Sequence, residues 1–190
     1  MATTIPGVPI SSSEGAVVTM PVIAMGTAAH PPVAAVTLKS AILEAIKAGY
    51  RHFDTAAVYG TEQPLGQAIK EAVRLGLIGS RNEVFITTKL WCNSAERDLV
   101  VPAIKESLKN LRMEYVDLYL IHWPLKATQE EFQVPIPKEC IFPIDIKSVW
   151  EGMEECQKLG LTKAIGVSNF SSKRLDEILS FARIPPAVNQ

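Results

Sequence analysis

Short apolar segments alternate with longer helix-like segments along most of the sequence, and this alternation restricts the fold more than any other feature. The apolar segments include VFITTKL, DLYLI and KAIGV, whose β-branched and aromatic residues favour strands. Between the apolar segments, residues such as Leu38, Ile42 and Ile46 recur at the spacing of one helix face. Strands that are separated by helices pair in parallel, because a parallel neighbour requires a crossover connection. The sequence therefore predicts an α/β protein with a parallel sheet.

Two architectures fit such a sheet, a doubly wound open sheet and a (β/α)8 barrel. A dinucleotide-binding open sheet carries a G-x-G-x-x-G motif after its first strand, but the first predicted strand, at residues 22–27, contains only Gly26. About six βα units begin along the chain, and the last one reaches Gln190 directly after its strand. We therefore expect a single domain over residues 1–190, a (β/α)8 barrel whose last two units are missing.

The segment VPISSSEGAVVTMP precedes the first predicted strand. Its apolar ends and its small polar centre are typical of a β-hairpin that turns at Ser13, Glu14 and Gly15. We expect this hairpin to close the barrel from below, as a plug.

Charge and composition exclude several classes of protein. The formal net charge is −1, so nothing indicates binding to nucleic acid or to an anionic membrane surface. No apolar segment approaches the ~20 residues of a membrane span, and the first residues lack the pattern of a secretory signal. Cys92, Cys140 and Cys156 form no C-x-x-C pair. These observations predict a reduced, cytoplasmic protein without nucleic-acid or membrane partners.

Polar residues close one predicted strand after another, at the edge where barrel enzymes build their active sites. These residues are Asp54, Lys89, His122, Ser168, Asn169 and Gln190. A lysine at the end of an apolar strand needs a counter-ion when it leaves water, and Asp54 is the natural partner of Lys89. The strand ends therefore predict one converging polar site at the mouth of the barrel.

Tyr59 follows Asp54 by five residues, on the loop that leaves the same strand. A lysine cation near the hydroxyl would favour the phenolate and lower the pKa of Tyr59 from about 10. His122 could donate a hydrogen bond to a developing oxyanion or share the proton with Tyr59. This cluster predicts carbonyl reduction, with Tyr59 as acid, Lys89 as the group that tunes its pKa, Asp54 as counter-ion and His122 as carbonyl polariser.

Simpler interpretations compete with this one. Taken alone, Tyr59 is better explained as a surface-loop tyrosine, and the positions of Lys89 and His122 reverse that preference in favour of the catalytic role. His52 forms an H-x-D pattern with Asp54, which metal-dependent hydrolase barrels also use. The chain has no second paired histidine motif, so we expect no metal site.

Five segments resemble the aldo-keto reductase superfamily: MPVIAMGT, AIKAGYRHFDTAAVYGTEQPLGQAI, VFITTKLW, LYLIHWP and AIGVSNF. The resemblance covers nearly the whole chain and implies NADPH-dependent reduction of a small-molecule carbonyl on a barrel. It implies a catalytic set of Asp54, Tyr59, Lys89 and His122. It further implies that the nicotinamide carboxamide is held by Ser168, Asn169 and Gln190, and that the nicotinamide ribose is lined by Gly26, Thr27 and Asp54.

The segments SVWEGMEECQKLGLTKAIGVSNFSSKRL and LWCNSAERDLVVPAIKESLKNL resemble more narrowly a plant branch of that superfamily. This branch includes chalcone (polyketide), codeinone and methylecgonone reductases, which implies a ketone or aldehyde of plant specialised metabolism and a monomer at full length. Trp91 and Trp123 would line an apolar substrate pocket. The long, proline-rich residues 123–145 would shape its specificity.

A second hypothesis follows because the resemblance lacks the last part of the superfamily's barrel. The last two barrel units of the superfamily, with the basic loop that holds the 2′-phosphate of NADPH, would follow Gln190. The chain is then alternatively a catalytically silent fragment that serves as a binding or regulatory module. Binding of NADPH distinguishes the two hypotheses.

Overall fold

The structure is a computed structural model that describes residues 5–11, 17–128 and 135–190. The described strands are β1 (Gly7–Ser11), β2 (Val17–Pro21), β3 (Met25–Gly26), β4 (His52–Asp54), β5 (Phe85–Leu90), β6 (Val116–Ile121), β7 (Leu125–Ala127), β8 (Ile141–Pro143) and β9 (Thr162–Val167). The helices are α1 (Ala35–Lys47), α2 (Glu62–Arg74), α3 (Arg97–Leu111), α4 (Ile146–Lys158) and α5 (Ser172–Leu179). Among these described helices, none is long and apolar enough to cross a membrane.

The predicted parallel sheet is confirmed. Its five strands lie in the order β3-β4-β5-β6-β9, and each strand pairs in parallel with its neighbour. The helices pack on the outer face, where Phe53, Ile86 and Tyr119 are buried in the main core. Because the strands pair in chain order and the helices pack on one face only, the sheet has the arrangement of an arc of a (β/α)8 barrel rather than of a doubly wound sheet.

A sixth segment continues this arc beside β9. The backbone N–H of Ala187 donates to the Ile165 carbonyl, and the N–H of Gln190 donates to the Val167 carbonyl. Gly166 permits this approach, because a Cβ there would lie 2.6 Å from the Val188 carbonyl oxygen. The strand expected from PAVNQ therefore forms, although only the bridge between Val167 and Asn189 has regular strand geometry.

The N-terminal hairpin closes the inner face of the arc. Strands β1 and β2 pair antiparallel, and Ile10 of β1 is buried against the inner-face residues Phe85, Leu118 and Leu120. Burial of one such isoleucine contributes about 1.5–3 kcal/mol. The expected plug is confirmed, while its predicted turn at Ser13, Glu14 and Gly15 lies outside the described residues.

Helix ends follow local chemistry in most places. Asp145 and Ser171 cap α4 and α5, because their side-chain oxygens accept from the backbone N–H groups of Ser148 and Arg174. Thr61 stands at the N-cap of α2, but its hydroxyl makes no capping bond. That hydroxyl is instead hydrogen-bonded to two other threonines of the site described below.

Several element boundaries differ from the predictions. The first barrel strand covers only Met25–Gly26, and among the described strands only β4 pairs with it. Helix α2 ends at Arg74, and Gly76, two residues later, takes a left-handed φ of 70° that a helix does not continue through. The long segment at residues 123–145 contains the antiparallel pair β7 and β8, and its residues 129–134 lie outside the described part.

Candidate active site

Asp54 and Lys89 form the ion pair that the sequence predicted. The Lys89 ammonium donates to Asp54 Oδ1 at 2.6 Å and to the Thr55 carbonyl at 3.0 Å. The Lys89 side chain is only 1% exposed, so it is almost completely shielded from water. Burial lowers the pKa of Lys89, while the charge of Asp54 and its hydrogen bond oppose that shift. The pair therefore holds a buried cation beneath the mouth of the barrel.

Tyr59 and His122 meet above this ion pair. The Tyr59 hydroxyl is hydrogen-bonded to His122 Nε2 at 3.3 Å, and the two rings meet edge to face with centroids 5.4 Å apart. Lys89 Nζ lies 5.0 Å from the centroid of the Tyr59 ring. The hydroxyl and the imidazole thus face the same space, with the cation below the ring.

The predicted shift of the Tyr59 pKa is wrong in direction. Burial, and then the negative charge of Asp54, raise the pKa of Tyr59. The error arose because the sequence showed the cation but neither the depth of the ring nor the field of the carboxylate. Burial, and then the charge of Lys89, lower the pKa of His122 to about 4. Near neutral pH the site therefore presents a protonated phenol and a neutral imidazole.

Three polar residues from the end of β9 and from the sixth segment lie beside the ion pair. Gln190 Nε2 donates to Asp54 Oδ2 at 3.0 Å, which joins the sixth segment to β4 across the mouth. Asn169 donates through Nδ2 to the His122 carbonyl and to Ser168 Oγ, and it takes a left-handed φ of 64°. The structure thus brings Ser168, Asn169 and Gln190 to the mouth that holds the predicted catalytic four.

Gly26 and Thr27 lie on the other side of Asp54. The Thr27 backbone N–H and hydroxyl both donate to the Asp54 carbonyl, at 2.9 and 3.0 Å. A Cβ on Gly26 would meet no atom within 4 Å, so open space lies in front of this residue. Both residues therefore reach the predicted place at the end of the first barrel strand.

The two predicted pocket tryptophans differ in environment. Trp91 is buried, and its ring meets the His122 ring at a centroid distance of 5.2 Å. Trp123, which directly follows His122 in the sequence, is 42% exposed. Trp91 thus packs against the candidate acid–base pair, while Trp123 presents an aromatic surface to solvent at the rim.

His52 lies deeper than the mouth and points toward the plug. Its Nδ1 is 3.1 Å from the Pro21 carbonyl oxygen, and its Nε2 is 2.9 Å from Thr87 Oγ1. Both ring nitrogens are therefore engaged by the hairpin and by β5. Across the three described ranges, no group of histidine, cysteine, aspartate or glutamate side chains has the arrangement of a metal site.

Sequence reasoning missed a chain of hydroxyl groups around the ion pair. Thr61 Oγ1 lies 2.7 Å from Thr27 Oγ1 and 2.8 Å from Thr55 Oγ1. Together with the Thr55 carbonyl that accepts from Lys89, these contacts fix the loop between β4 and α2. The only signal in the sequence was the position of Thr55 next to Asp54.

Comparison with known proteins gives consistent matches. The family model described as "Aldo/keto reductase family" matches residues 22–190. D-galacturonate reductase of Fragaria ananassa is 61% identical over 98% of this chain and 58% of its own length. NADPH-dependent codeinone reductase 1-4 of Papaver somniferum is 56% identical over 97% of this chain and 57% of its own length. The chain thus spans a little more than half of these relatives.

A solved structure supports the fold. The Bombyx mori aldo-keto reductase in complex with NADP superposes with a TM-score of 0.87 and 41% sequence identity. The match covers 100% of this chain and 58% of that one. The open arc described here is therefore similar to the corresponding part of a (β/α)8 barrel.

Proposed function

Because the chain belongs to the aldo/keto reductase family, we propose that it reduces the carbonyl group of a small molecule to an alcohol with NADPH. The single observation that carries this proposal is the contact between the Tyr59 hydroxyl and His122 Nε2 at 3.3 Å, above the buried Lys89–Asp54 pair. A protonated phenol beside a neutral imidazole provides one proton and one further hydrogen bond for the same carbonyl oxygen.

Tyr59 is the proton donor in this proposal. Burial raises its pKa, so the hydroxyl keeps its proton at neutral pH and releases it only as negative charge develops on the carbonyl oxygen. His122 polarises the same oxygen as a neutral group, because its pKa of about 4 keeps the imidazole uncharged. Lys89 stabilises the phenolate that remains, and Asp54 orients Lys89.

The residues at the mouth fit a bound nicotinamide ring. Ser168, Asn169 and Gln190 offer hydroxyl and amide groups, which both donate to and accept from a carboxamide. The open space at Gly26 and the polar Thr27 suit a ribose. When bound, NADPH supplies the hydride for the carbonyl carbon. The residues of this chain orient the ring and hold the proton at Tyr59 Oη.

The substrate class follows from the relatives, whose names include reductases of D-galacturonate and codeinone. We infer a ketone or aldehyde of plant specialised metabolism, bound between Trp91 and the exposed ring of Trp123. The enzyme is expected to act as a monomer in the cytoplasm. The proposal applies to the protein as a whole, since this chain spans a little more than half of the relatives.

The test combines binding and turnover on the purified protein. NADPH binding is measured by quenching of tryptophan fluorescence, and turnover by loss of NADPH absorbance with D-galacturonate, codeinone and a simple aromatic aldehyde. We expect saturable binding and turnover of at least one carbonyl. Tyr59→Phe should keep the NADPH affinity and lower turnover by about 10²–10⁴-fold, because it removes the general acid.

Two results would contradict the proposal. Retention of most turnover by Tyr59→Phe would remove Tyr59 as the acid. Absence of NADPH binding by the wild-type protein would instead favour a binding or regulatory module without catalysis.

A further inference from the structure

Two unpartnered polar atoms lie together in the candidate active site. In the described part of the chain, the buried side-chain atoms without a hydrogen-bond partner are Trp91 Nε1, His122 Nδ1 and Gln157 Oε1. The first two belong to rings whose centroids are 5.2 Å apart. Buried polar groups in folded proteins almost always have a partner, either protein or ordered water. Two such atoms on neighbouring rings therefore indicate a shared partner.

The residues themselves are nearly closed to bulk solvent. Trp91 is 4% exposed and His122 is 6% exposed. A buried donor or acceptor without a partner loses its hydrogen bond to water and gains none in the protein, so leaving both atoms unpaired would destabilise the folded state. A cavity of about 150 Å³ is lined by Trp91 and Lys89 but not by His122, and one water occupies about 30 Å³. The cavity therefore offers room for water on the Trp91 side, and the link to His122 rests on the contact between the two rings.

The chemistry of the two atoms is complementary through one water molecule. An indole N–H only donates, whereas a histidine ring nitrogen either donates or accepts according to its tautomer. We propose that a buried water accepts from Trp91 Nε1 and donates to His122 Nδ1, so that Trp91 fixes His122 as the tautomer that carries its proton on Nε2. Trp91 is then a positioning residue that acts through His122.

This assignment has a consequence for the reaction. His122 Nε2 is the nitrogen that faces the Tyr59 hydroxyl at 3.3 Å. With the proton on Nε2, the imidazole donates toward the reacting carbonyl oxygen, while with the proton on Nδ1 it could only accept there. The consequence for catalysis rests on the proposed function, but the tautomer itself does not.

The first test is nitrogen NMR of the histidine side chains, which requires neither NADPH nor turnover. The chain contains 3 histidines, so His122 is assigned by comparison with His122→Gln. We expect a single Nε2–H tautomer in the wild type, and a mixture of both tautomers in Trp91→Phe. The indole N–H of Trp91 should also show a cross-relaxation peak with water in the wild type, a readout that needs no variant.

A matched control is Trp150→Phe. Trp150 is buried, and its indole N–H donates to the Ile184 carbonyl at 3.0 Å, so this variant also loses an indole hydrogen bond. It should lower the melting temperature and leave the His122 tautomer unchanged. In the active enzyme, Trp91→Phe should lower kcat by about tenfold, the worth of one hydrogen bond of about 1.4 kcal/mol.

Three outcomes would overturn the inference. They are an Nδ1–H tautomer in the wild type, an unchanged single tautomer in Trp91→Phe, and a Trp91 indole N–H without contact to water. A protein that lacks reductase activity but shows the expected tautomer would contradict the proposed function alone.

Discussion

Tyr59 and His122 owe their chemistry to burial, which acts on the two groups in opposite senses. Removal from water disfavours the charged form of each group, so the pKa of the phenol rises and that of the imidazole falls. Both groups are consequently neutral near pH 7. A site of two neutral hydrogen-bonding groups above one buried ion pair is suited to donate a proton rather than to accept one.

The lowered pKa of His122 also makes folding sensitive to acid. Between its ordinary value of 6.5 and about 4, the unfolded chain binds a proton that the folded chain does not bind. Stability therefore rises with pH across this window, is fully present above about pH 6.5 and is lost as the pH falls toward 4. Burial lowers the pKa of His52 as well, which acts in the same direction.

We predict that His122→Gln flattens the rise of the melting temperature between pH 4 and pH 6.5, because it removes this titrating group. Thermal unfolding followed by circular dichroism at several pH values measures the slope. His30→Gln replaces an exposed histidine and should keep the wild-type slope. Equal slopes for His122→Gln and the wild type would show that His122 is not the titrating group.

Asp54 is expected to be needed for folding as well as for catalysis. Asp54→Asn would leave the Lys89 ammonium, which is 1% exposed, without its counter-ion and with only neutral acceptors such as the Thr55 carbonyl. Loss of one partner of a buried pair destabilises a protein by about 3–5 kcal/mol. Unfolding by urea should show a loss of this size, and the double variant Asp54→Asn with Lys89→Met should recover a large part of it.

The control for this prediction is an ion pair on the surface. Glu71 and Arg74 form an exposed pair on α2, and Glu71→Gln should change stability too little to resolve, since such pairs contribute little. A loss for Asp54→Asn as small as that for Glu71→Gln would contradict the account of Lys89 as a buried cation.

The contact between α2 and α3 depends on one residue without a side chain. Gly66 lies on α2, and a Cβ there would overlap the backbone carbonyl of Leu111, the last residue of α3. Backbone cannot move aside as a flexible side chain can, so the two helices would have to separate. Helix α2 directly follows the segment that carries Tyr59.

Gly66→Ala should therefore destabilise the protein by about 1–3 kcal/mol through overpacking, although alanine normally favours a helix. Chemical unfolding measures the loss. Gln63→Ala, at an exposed position of the same helix, is the matched control and should stay within about 0.5 kcal/mol of the wild type. A gain in stability for Gly66→Ala would show that the helices separate easily.

Much of the fold could be predicted from the sequence because it depends on local patterns. The spacing of Leu38, Ile42 and Ile46 defines the buried face of α1. The apolar runs of β5 and β6 are buried at every position, as expected of strands covered on both faces. The gathering of polar groups at one edge followed from parallel pairing alone, since parallel strands end on the same side.

Other features depend on how deeply a side chain is buried and on contacts between segments that are distant in the sequence. The direction of the Tyr59 pKa shift required the burial of the ring, which no pattern in the sequence reports. The hydroxyl of Thr61 is hydrogen-bonded to Thr27 and Thr55 rather than to the backbone of its own helix, although threonine at a helix N-terminus usually caps it. The contact of Trp91 with His122 joins residues that follow two different strands, and neither local sequence predicts it.

The arc has one buried cluster of charges at each end of its strands. At the end opposite the candidate site, Asp117 accepts from Arg81 at 2.7 Å and from Lys163 at 2.9 Å, and both cations lie over the Tyr115 ring. Asp117 also accepts from the backbone N–H of Ile86. This cluster joins the beginnings of three strands, which is the stabilising end of such barrels.

In the proposed function, catalysis takes place at the carboxyl ends of the strands, opposite the Asp117 cluster. There the ion pair, the phenol and the imidazole lie between Gly26 and Gln190, the two sides of the proposed nicotinamide site. The central claim is therefore that reducing equivalents pass to a carbonyl carbon at this mouth while Tyr59 supplies the proton.

Transfer of deuterium from NADPH labelled at nicotinamide C4 tests this claim, with mass spectrometry of the alcohol formed from each carbonyl of the panel. The account predicts one deuterium on the former carbonyl carbon with the wild-type protein, and almost no labelled alcohol with Tyr59→Phe at saturating NADPH. An unlabelled alcohol, or equal labelling by wild type and Tyr59→Phe, would contradict it.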